Sequence, residues 1–348
     1  MRTYNYLSNE LPRELIEVYN DLQDDLLRII VKKLKMGIPP QKVFQDIKDK
    51  VSGYEKKVQK IIAVIFADVK KRAVKDGDKI VKEEPVTNDE ANKTIEPNLV
   101  SAFLIASALN NKIVNNAMSE YTNDYFYING GDTKYSSKES RLNTVYKNLA
   151  NNGIKIREVA KDKPKAYSID QILRRDVMYN VNQANAEVNM ENFNKSSAKF
   201  IEVSSHPTAR TWNKYQKHPY ENHSSWQGQV YYSGEAVDGY DEFESTCGYG
   251  EMLGICGINC YHQFQPNYTG KGTQTEYGIR EIRKNYNLSQ EQRLYERQIR
   301  NLKQKKVVYE EAGKDTSTLK DKISSATNQL KRFCEKNNLK YFNWRTQI

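Results

Sequence analysis

The sequence contains little of what marks membrane, secreted or disulfide-rich proteins. The strongly apolar run Ile61–Phe66 has six residues, whereas a helix that crosses a bilayer needs about 20. The first 17 residues hold no apolar segment, so we expect no secretory signal peptide. Only four cysteines occur in 348 residues, which gives no basis for a disulfide framework. We therefore expect neither a membrane-spanning nor a secreted protein.

The composition is that of a folded chain with a mild positive charge. Hydrophobic residues make up 38% and aromatic residues 11% of the sequence, which is enough for a core. The length indicates two domains or one domain with extensions. The net charge of +10 permits contact with nucleic acid without requiring it. The charge is unevenly distributed, with −5 over residues 201–270 and +9 over residues 271–348.

The first half of the chain carries apolar stripes at helical spacing. They predict one helix from Leu15 to Leu34 and a second from Val43 to Val69, suited to pair as an antiparallel hairpin. We expect a polar loop at 76–97 and a third helix that Pro97 opens. A loop or hairpin at 121–135 and a short helix at about 137–151 complete this half.

The second half mixes helices with short strands. Residues 153–167 resemble a linker, and Ser168 with Gln171 forms a capping-box pattern that predicts a helix to about residue 196. Strands are expected at 199–203 and 229–232, a Gly-rich irregular segment at 233–275, and two helices separated by Gly313. The predicted fold is mainly α with a small α+β central region. The predicted parts are an N-terminal helical region (1–152), an α+β motif domain (166–275) and a basic C-terminal helical hairpin (276–348).

Residues with chemically versatile side chains are concentrated in one segment. All four histidines and three of the four cysteines lie between residues 206 and 262. Thiolate and imidazole are zinc ligands, so one interpretation is a zinc site. Its ligands would be Cys247, Cys256, Cys260 and His262, with His206 as an alternative to Cys247. The spacing lacks the C-x2-C pair typical of such sites, and we expect no bound cofactor.

Two other interpretations of this segment remain open. In the first, Cys260 is a thiolate nucleophile paired with His206 or His262. The sequence shows no third group that would orient this pair, and we expect that the protein is not an enzyme. In the second, polar side chains tether a Gly-rich loop that buries little apolar area. The motif residues proposed for this role are His206, Arg210, Trp226, Gln227, Gly228, Asn259, Cys260 and His262. We favour this structural interpretation.

The basic residues of the C-terminal helices suggest contact with DNA. Salt-dependent binding to phosphates is independent of base sequence and needs only such a patch. The candidate contacts are Arg293, Arg297, Arg300, Lys303, Lys305, Lys306, Lys331 and Arg332. The alternative is a solvated helix face whose charge is partly offset by Glu291, Glu296, Glu310 and Asp321.

The motif segment resembles the phage minor capsid protein 2 family. Its H-x-x-A-R element falls on His206–Arg210, its W-Q-G element on Trp226–Gly228, and its G-x-N-C-R-H element on Gly257–His262. Tyr261 departs from the family pattern, which has Arg at this position. Arg174–Val177, Asn182–Ala184 and the Q-x-x-R-x-x-E-R-x-I-R pattern from Gln290 to Arg300 also resemble the family.

The resemblance implies a minor structural protein of a tailed phage or prophage virion. Family members are associated with the portal inside the head and act in head morphogenesis or DNA ejection. The implied partners are the portal protein, other head proteins and packaged DNA. The implied location is inside the capsid near the portal, after assembly in the host cytoplasm. The apolar stripes of the N-terminal helices would then be either a docking surface or an ordinary core. Alternatives are a non-specific DNA-binding protein and a Cys/His hydrolase that uses zinc or a thiolate.

Overall fold

The computed structural model describes residues 11–130, 137–160 and 163–347, and it confirms a mainly α fold with a small α+β region. Its α-helices are α1 Leu11–Lys35, α2 Pro40–Ile80, α3 Asn88–Gly130, α4 Lys138–Asn152, α5 Ile169–Ile172, α6 Met178–Lys195, α7 His223–Trp226, α8 Phe243–Cys247, α9 Ile279–Glu311 and α10 Ser317–Lys336. A π-helical turn spans Leu173–Val177, and 3-10 turns span Pro219–Glu221 and Asn343–Thr346. The strands are β1 Ile156–Ala160, β2 Lys163–Tyr167, β3 Phe200–Val203, β4 Val230–Tyr232 and β5 Phe264–Asn267. Within the described ranges, no helix combines the length and the apolarity needed to cross a membrane.

The apolar stripes of the N-terminal helices lie in the core. Leu22, Leu26 and Ile30 of α1 are fully buried, as are Val43 and Ile47 of α2. A buried side chain cannot contact a partner. Of the two interpretations, these stripes are therefore ordinary core and not a docking surface. Their role is to stabilise the helices through apolar burial.

The loop predicted at 76–97 is wrong over most of its length. Helix α2 continues to Ile80, and α3 begins at Asn88. Gly77 lies inside α2, where its missing side chain permits the close approach of Asn192. A Cβ atom at this position would be 2.7 Å from the Asn192 amide. The start of α3 is a capping box: Glu90 N–H donates to Thr87 Oγ1 at 3.3 Å, and Thr87 N–H donates to Glu90 Oε2 at 2.8 Å.

Two further expectations about α3 are also wrong. Pro97 does not open the helix but lies inside it, where it removes one backbone hydrogen bond. Residues 121–130, expected as loop, continue the helix with Tyr121 and Ile128 fully buried. Their burial outweighs the weak helix propensity of a segment rich in Asn and Tyr. Residues 131–135 of the predicted loop lie outside the described residues.

The linker predicted at 153–167 is instead an antiparallel hairpin. Strands β1 and β2 pair from Ile156 with Tyr167 to Ala160 with Lys163. Ile154 and Ile156 are both fully buried, so alternate side chains hold the segment against the protein. Of the capping box that follows, the bond from the cap backbone is present: the Ser168 N–H donates to Gln171 Oε1 at 3.0 Å.

The central α+β region contains a three-stranded antiparallel sheet with the strand order β4-β3-β5. Ile201 on β3 pairs with Tyr231 on β4 and with Pro266 on β5. Helix α6 packs against β5, and Trp226, Phe243 and Phe264 belong to the same apolar core. The two C-terminal helices are confirmed; Ile299 of α9 packs with Leu330 and Cys334 of α10.

Two compact units divide the chain. The described residues of the first are 11–12, Lys60–Ile105 and Arg174–Gln290, and those of the second are Arg13–Gln59, 106–130, 137–160, 163–173 and 291–347. Each unit therefore combines segments that are distant in the sequence. The boundaries of the three predicted parts, at residues 152, 166 and 275, stay a prediction from the sequence.

A largely buried carboxyl group should make stability depend on pH. Burial raises the pKa of Asp24 to about 7, an effect that Arg28 partly offsets. Because Asp24 titrates at about pH 4 when unfolded, its folded form holds the proton more tightly, and the free energy of unfolding falls between these pH values. Relative to the wild type, Asp24→Asn should gain about 1–2 kcal/mol between pH 4 and pH 8.

Urea denaturation at several pH values measures this difference. The control is Asp321→Asn, because Asp321 is exposed. Parallel stability profiles for the wild type and Asp24→Asn across this pH range would contradict the assignment.

Candidate functional site: a buried histidine and cysteine cluster

The three motif elements converge in the first compact unit. His206 follows β3, His223 and Trp226 belong to α7, and Cys260 and His262 precede β5. Their side chains are sealed: the exposed fraction is 5% for His206, 1% for His223, 1% for Cys260 and 0% for His262. We call His206, His223, Cys260 and His262 the histidine–cysteine cluster.

Gln227 holds two members of this cluster together. Its Oε1 atom accepts from the His206 backbone N–H at 2.9 Å and lies 3.0 Å from His262 Nε2. A backbone N–H can only donate, so the amide oxygen must face it. The same oxygen then requires a proton on His262 Nε2. The lone pair of His262 Nδ1 consequently faces Cys260 Sγ at 3.5 Å.

The other rings pack around His262. The centroid of His262 is 4.2 Å from that of His206, 5.3 Å from that of His223 and 4.8 Å from that of Trp226. His223 Nε2 lies 2.9 Å from the Leu253 carbonyl oxygen, which can only accept, so His223 also carries its proton on Nε2. Trp226 is anchored by an Nε1–H that donates to the Tyr220 carbonyl at 2.9 Å.

Burial keeps these groups neutral. It lowers the pKa of His206 to about 4 and that of His223 to about 3. The pKa of His262 is lowered well below its ordinary value, first by burial and then by His206, His223 and Arg210. Burial raises the pKa of the Cys260 thiol to about 11. A neutral imidazole and a protonated thiol are therefore the stable forms near pH 7.

Long polar side chains satisfy the carbonyl groups of the Gly-rich segment. Arg210 donates to Leu253 O at 3.1 Å and to Ile258 O at 2.6 Å. From α6, Asn182 donates to Cys260 O at 3.0 Å and Gln183 to Cys256 O at 2.8 Å. Buried carbonyls need such partners, because this segment forms few ladder hydrogen bonds. Asn182 and Gln183 resemble the family pattern, but nothing in the sequence indicated that they are tethers.

Two other motif residues contribute through backbone conformation. Gly228 has φ of 71°, and a Cβ atom there would lie 3.1 Å from Ser205 Cβ. Asn259 has φ of 55°, a left-handed conformation that Asn tolerates better than most residues. Both allow the chain to turn where the motif elements meet.

The structure brings together only part of the predicted zinc set. Among the described residues, ligand atoms of His223, Cys260 and His262 lie within 4.8 Å of one another. Cys256 instead directs its Sγ towards the His262 carbonyl oxygen at 3.3 Å, and Cys247 is buried in the adjacent apolar core. His223 was missing from the predicted set, and only its place in the same segment pointed to it.

The candidate DNA contacts fall into two groups. Arg293, Arg297, Lys331 and Arg332 are exposed. Others are engaged within the second unit: Arg300 donates to Arg345 O, Lys303 donates to Gln347 Oε1 at 2.5 Å, and Lys306 pairs with Glu310 at 3.1 Å. Burial also lowers the pKa of Lys303. Lys305 is half-buried.

The fold and the site define a mainly α protein whose sequence motifs meet in a sealed, hydrogen-bonded core. The chain belongs to the phage minor capsid protein 2 family, whose model matches residues 5–335. It is a minor structural protein of a phage virion.

Two relatives are phage proteins named as structural. A structural protein of Lactococcus phage mv4 is 41% identical over 81 residues, which are 23% of this chain and 64% of that protein. A structural protein of Lactococcus phage LL-H is 42% identical over 81 residues, again 23% of this chain but 21% of that protein. The match thus covers less than two thirds of either relative. No solved structure matches the chain.

Loss of the Gln227 acceptor should destabilise the protein. Gln227→Leu would leave the His206 N–H and the His262 Nε2–H without their shared partner inside a sealed core. Each unsatisfied buried group costs about 1–3 kcal/mol, so we expect a loss of about 3 kcal/mol in the free energy of unfolding. Chemical denaturation measures it. Gln298→Leu, at an exposed position on α9, is the control, and equal losses in both variants would contradict the role of Gln227.

Proposed function

We propose that the protein is a portal-associated architectural component inside the head of a tailed phage or prophage, acting in head morphogenesis or DNA ejection and not as an enzyme. One observation carries this proposal: the motifs that identify the family meet in a buried core and not in an open site. Their role is then to hold the Gly-rich segment in one conformation. Contact with the portal and other head proteins is made by surfaces that this core supports.

The hydrolase alternative has suitable geometry but no access. Cys260, His262 and Gln227 follow one another at 3.5 and 3.0 Å, the order of a nucleophile, a base and an orienting group. Gln227 thus supplies the third group that the sequence did not reveal. However, a substrate must reach Sγ, and Cys260 is 1% exposed. Burial also raises the pKa of this thiol to about 11, which opposes formation of the thiolate nucleophile.

Cross-linking within intact particles tests the portal association. We expect the chain to be present in purified DNA-filled particles and to form cross-links to the portal protein. Particles assembled without the portal protein are the matched control and should lack the chain. Its absence from DNA-filled particles, or equal incorporation without the portal, would contradict the proposal.

Non-specific contact with packaged DNA is a second candidate function, favoured by the exposure of Arg293, Arg297, Lys331 and Arg332. Arg293 and Arg297 lie one turn apart on α9 and therefore share a face. Exposed guanidinium groups contact phosphates and release counterions, so binding should weaken as salt increases.

Neutralising the two arginines should weaken DNA binding in a salt-dependent way. For Arg293→Gln/Arg297→Gln we expect the slope of log affinity against log salt to become shallower by about 2, since each phosphate contact contributes about 0.9. Fluorescence anisotropy with duplex DNA at several salt concentrations measures this slope. Gln298→Ala on the same helix is the control. Affinity that does not change with salt would argue against phosphate contacts.

A further inference from the structure

The imidazoles of His223 and His262 make the same kind of hydrogen bond. Each places Nε2 against an atom that can only accept, Leu253 O at 2.9 Å and Gln227 Oε1 at 3.0 Å. Each Nδ1 atom therefore carries a lone pair. Histidine ligands in metal sites characteristically donate their other N–H to a carbonyl or carboxylate group, which fixes the tautomer and the ring orientation. The surroundings of both rings thus match those of metal ligands.

The distances within the group suit one shared ion. Cys260 Sγ lies 3.5 Å from His262 Nδ1. In a tetrahedral zinc site, with Zn–S of about 2.3 Å and Zn–N of about 2.0–2.1 Å, the sulfur and nitrogen ligands are about 3.6 Å apart. A ring nitrogen of His223, a ring nitrogen of His262 and Cys260 Sγ lie within 4.8 Å of one another, which is close enough to share one ion after a small side-chain movement.

We propose that His223, Cys260 and His262 bind one Zn²⁺ ion. A thiolate and two imidazoles favour zinc over magnesium or calcium, which prefer oxygen ligands. This ligand set differs from the one expected from the sequence, because Cys247 and Cys256 are outside it. The site does not depend on the portal association proposed above.

The protons balance in a way that can be measured. A zinc-bound cysteine is a thiolate, so binding of each Zn²⁺ ion forms one Zn–S bond and releases the Cys260 thiol proton to solvent. Because protons compete with the metal for its ligands, the apparent affinity should rise with pH.

Zinc titration of the full chain, freed of metal with a chelator, tests the site. We expect one Zn²⁺ ion per chain, an affinity that rises with pH, and a melting temperature that rises with zinc. Replacing the ion with Co²⁺ should produce the absorption of a thiolate ligand, a readout that needs no variant. A folded wild-type chain that binds no zinc, or that binds it without thiolate absorption, would overturn the proposal.

Variants with matched controls identify the ligands. His223→Gln and Cys260→Ser should each weaken zinc binding about 100-fold. The controls are His218→Gln, since His218 is exposed, and Cys334→Ser, since Cys334 is a buried cysteine of the C-terminal hairpin. Both controls should bind zinc as the wild type does. Wild-type affinity in a folded His223→Gln chain would also overturn the proposal, because His223 would then not be a ligand.

Discussion

A single oxygen atom, Gln227 Oε1, determines how the motif region is built. It accepts from the His206 backbone and from His262, and so joins two segments that are more than 50 residues apart in the sequence. Because both donors are buried, neither can form a replacement hydrogen bond with water. The proton on His262 Nε2, the lone pair facing Cys260 and the packing of the rings all follow from this contact. It explains in physical terms why the H-x-x-A-R, W-Q-G and N-C-x-H elements occur together, since each supplies one side of the same cluster.

The fold was predictable where burial leaves a periodic pattern. The stripes of α1, α2 and α10 repeat at helical spacing, and their existence followed from the sequence. The errors occurred where local signals opposed tertiary packing. Gly77, Pro97 and the Asn-rich end of α3 indicated loops, yet all of them lie within helices, where Gly77 allows the close approach of Asn192 and Tyr121 is buried. The hairpin β1–β2 is short, and its Gly, Pro and Lys residues concealed the alternation of its strands.

The site was predictable in location but not in geometry. Clustering of rare residue types indicated the segment in which His206, His223, Cys260 and His262 lie close together. Which of them meet depends on the path of a Gly-rich segment that has no periodicity. His223 was therefore overlooked, and Cys247 and Cys256 were grouped with residues whose ligand atoms they do not join. Similarly, composition identified a basic C-terminal segment, whereas only the structure separates the exposed Arg293 and Arg297 from Arg300, which joins α9 to the turn Asn343–Thr346.

The interleaving of the two compact units has a consequence for synthesis on the ribosome. The first unit needs residues up to Gln290 and the second needs Glu291–Ile348, so neither can be completed while the N-terminal helices are the only part translated. The apolar stripe of α1 can be buried only after residues far downstream have been translated. Long-range closure of this kind slows folding and prolongs the exposure of apolar surface. The newly made chain therefore exposes apolar surface until α9 and α10 have been translated.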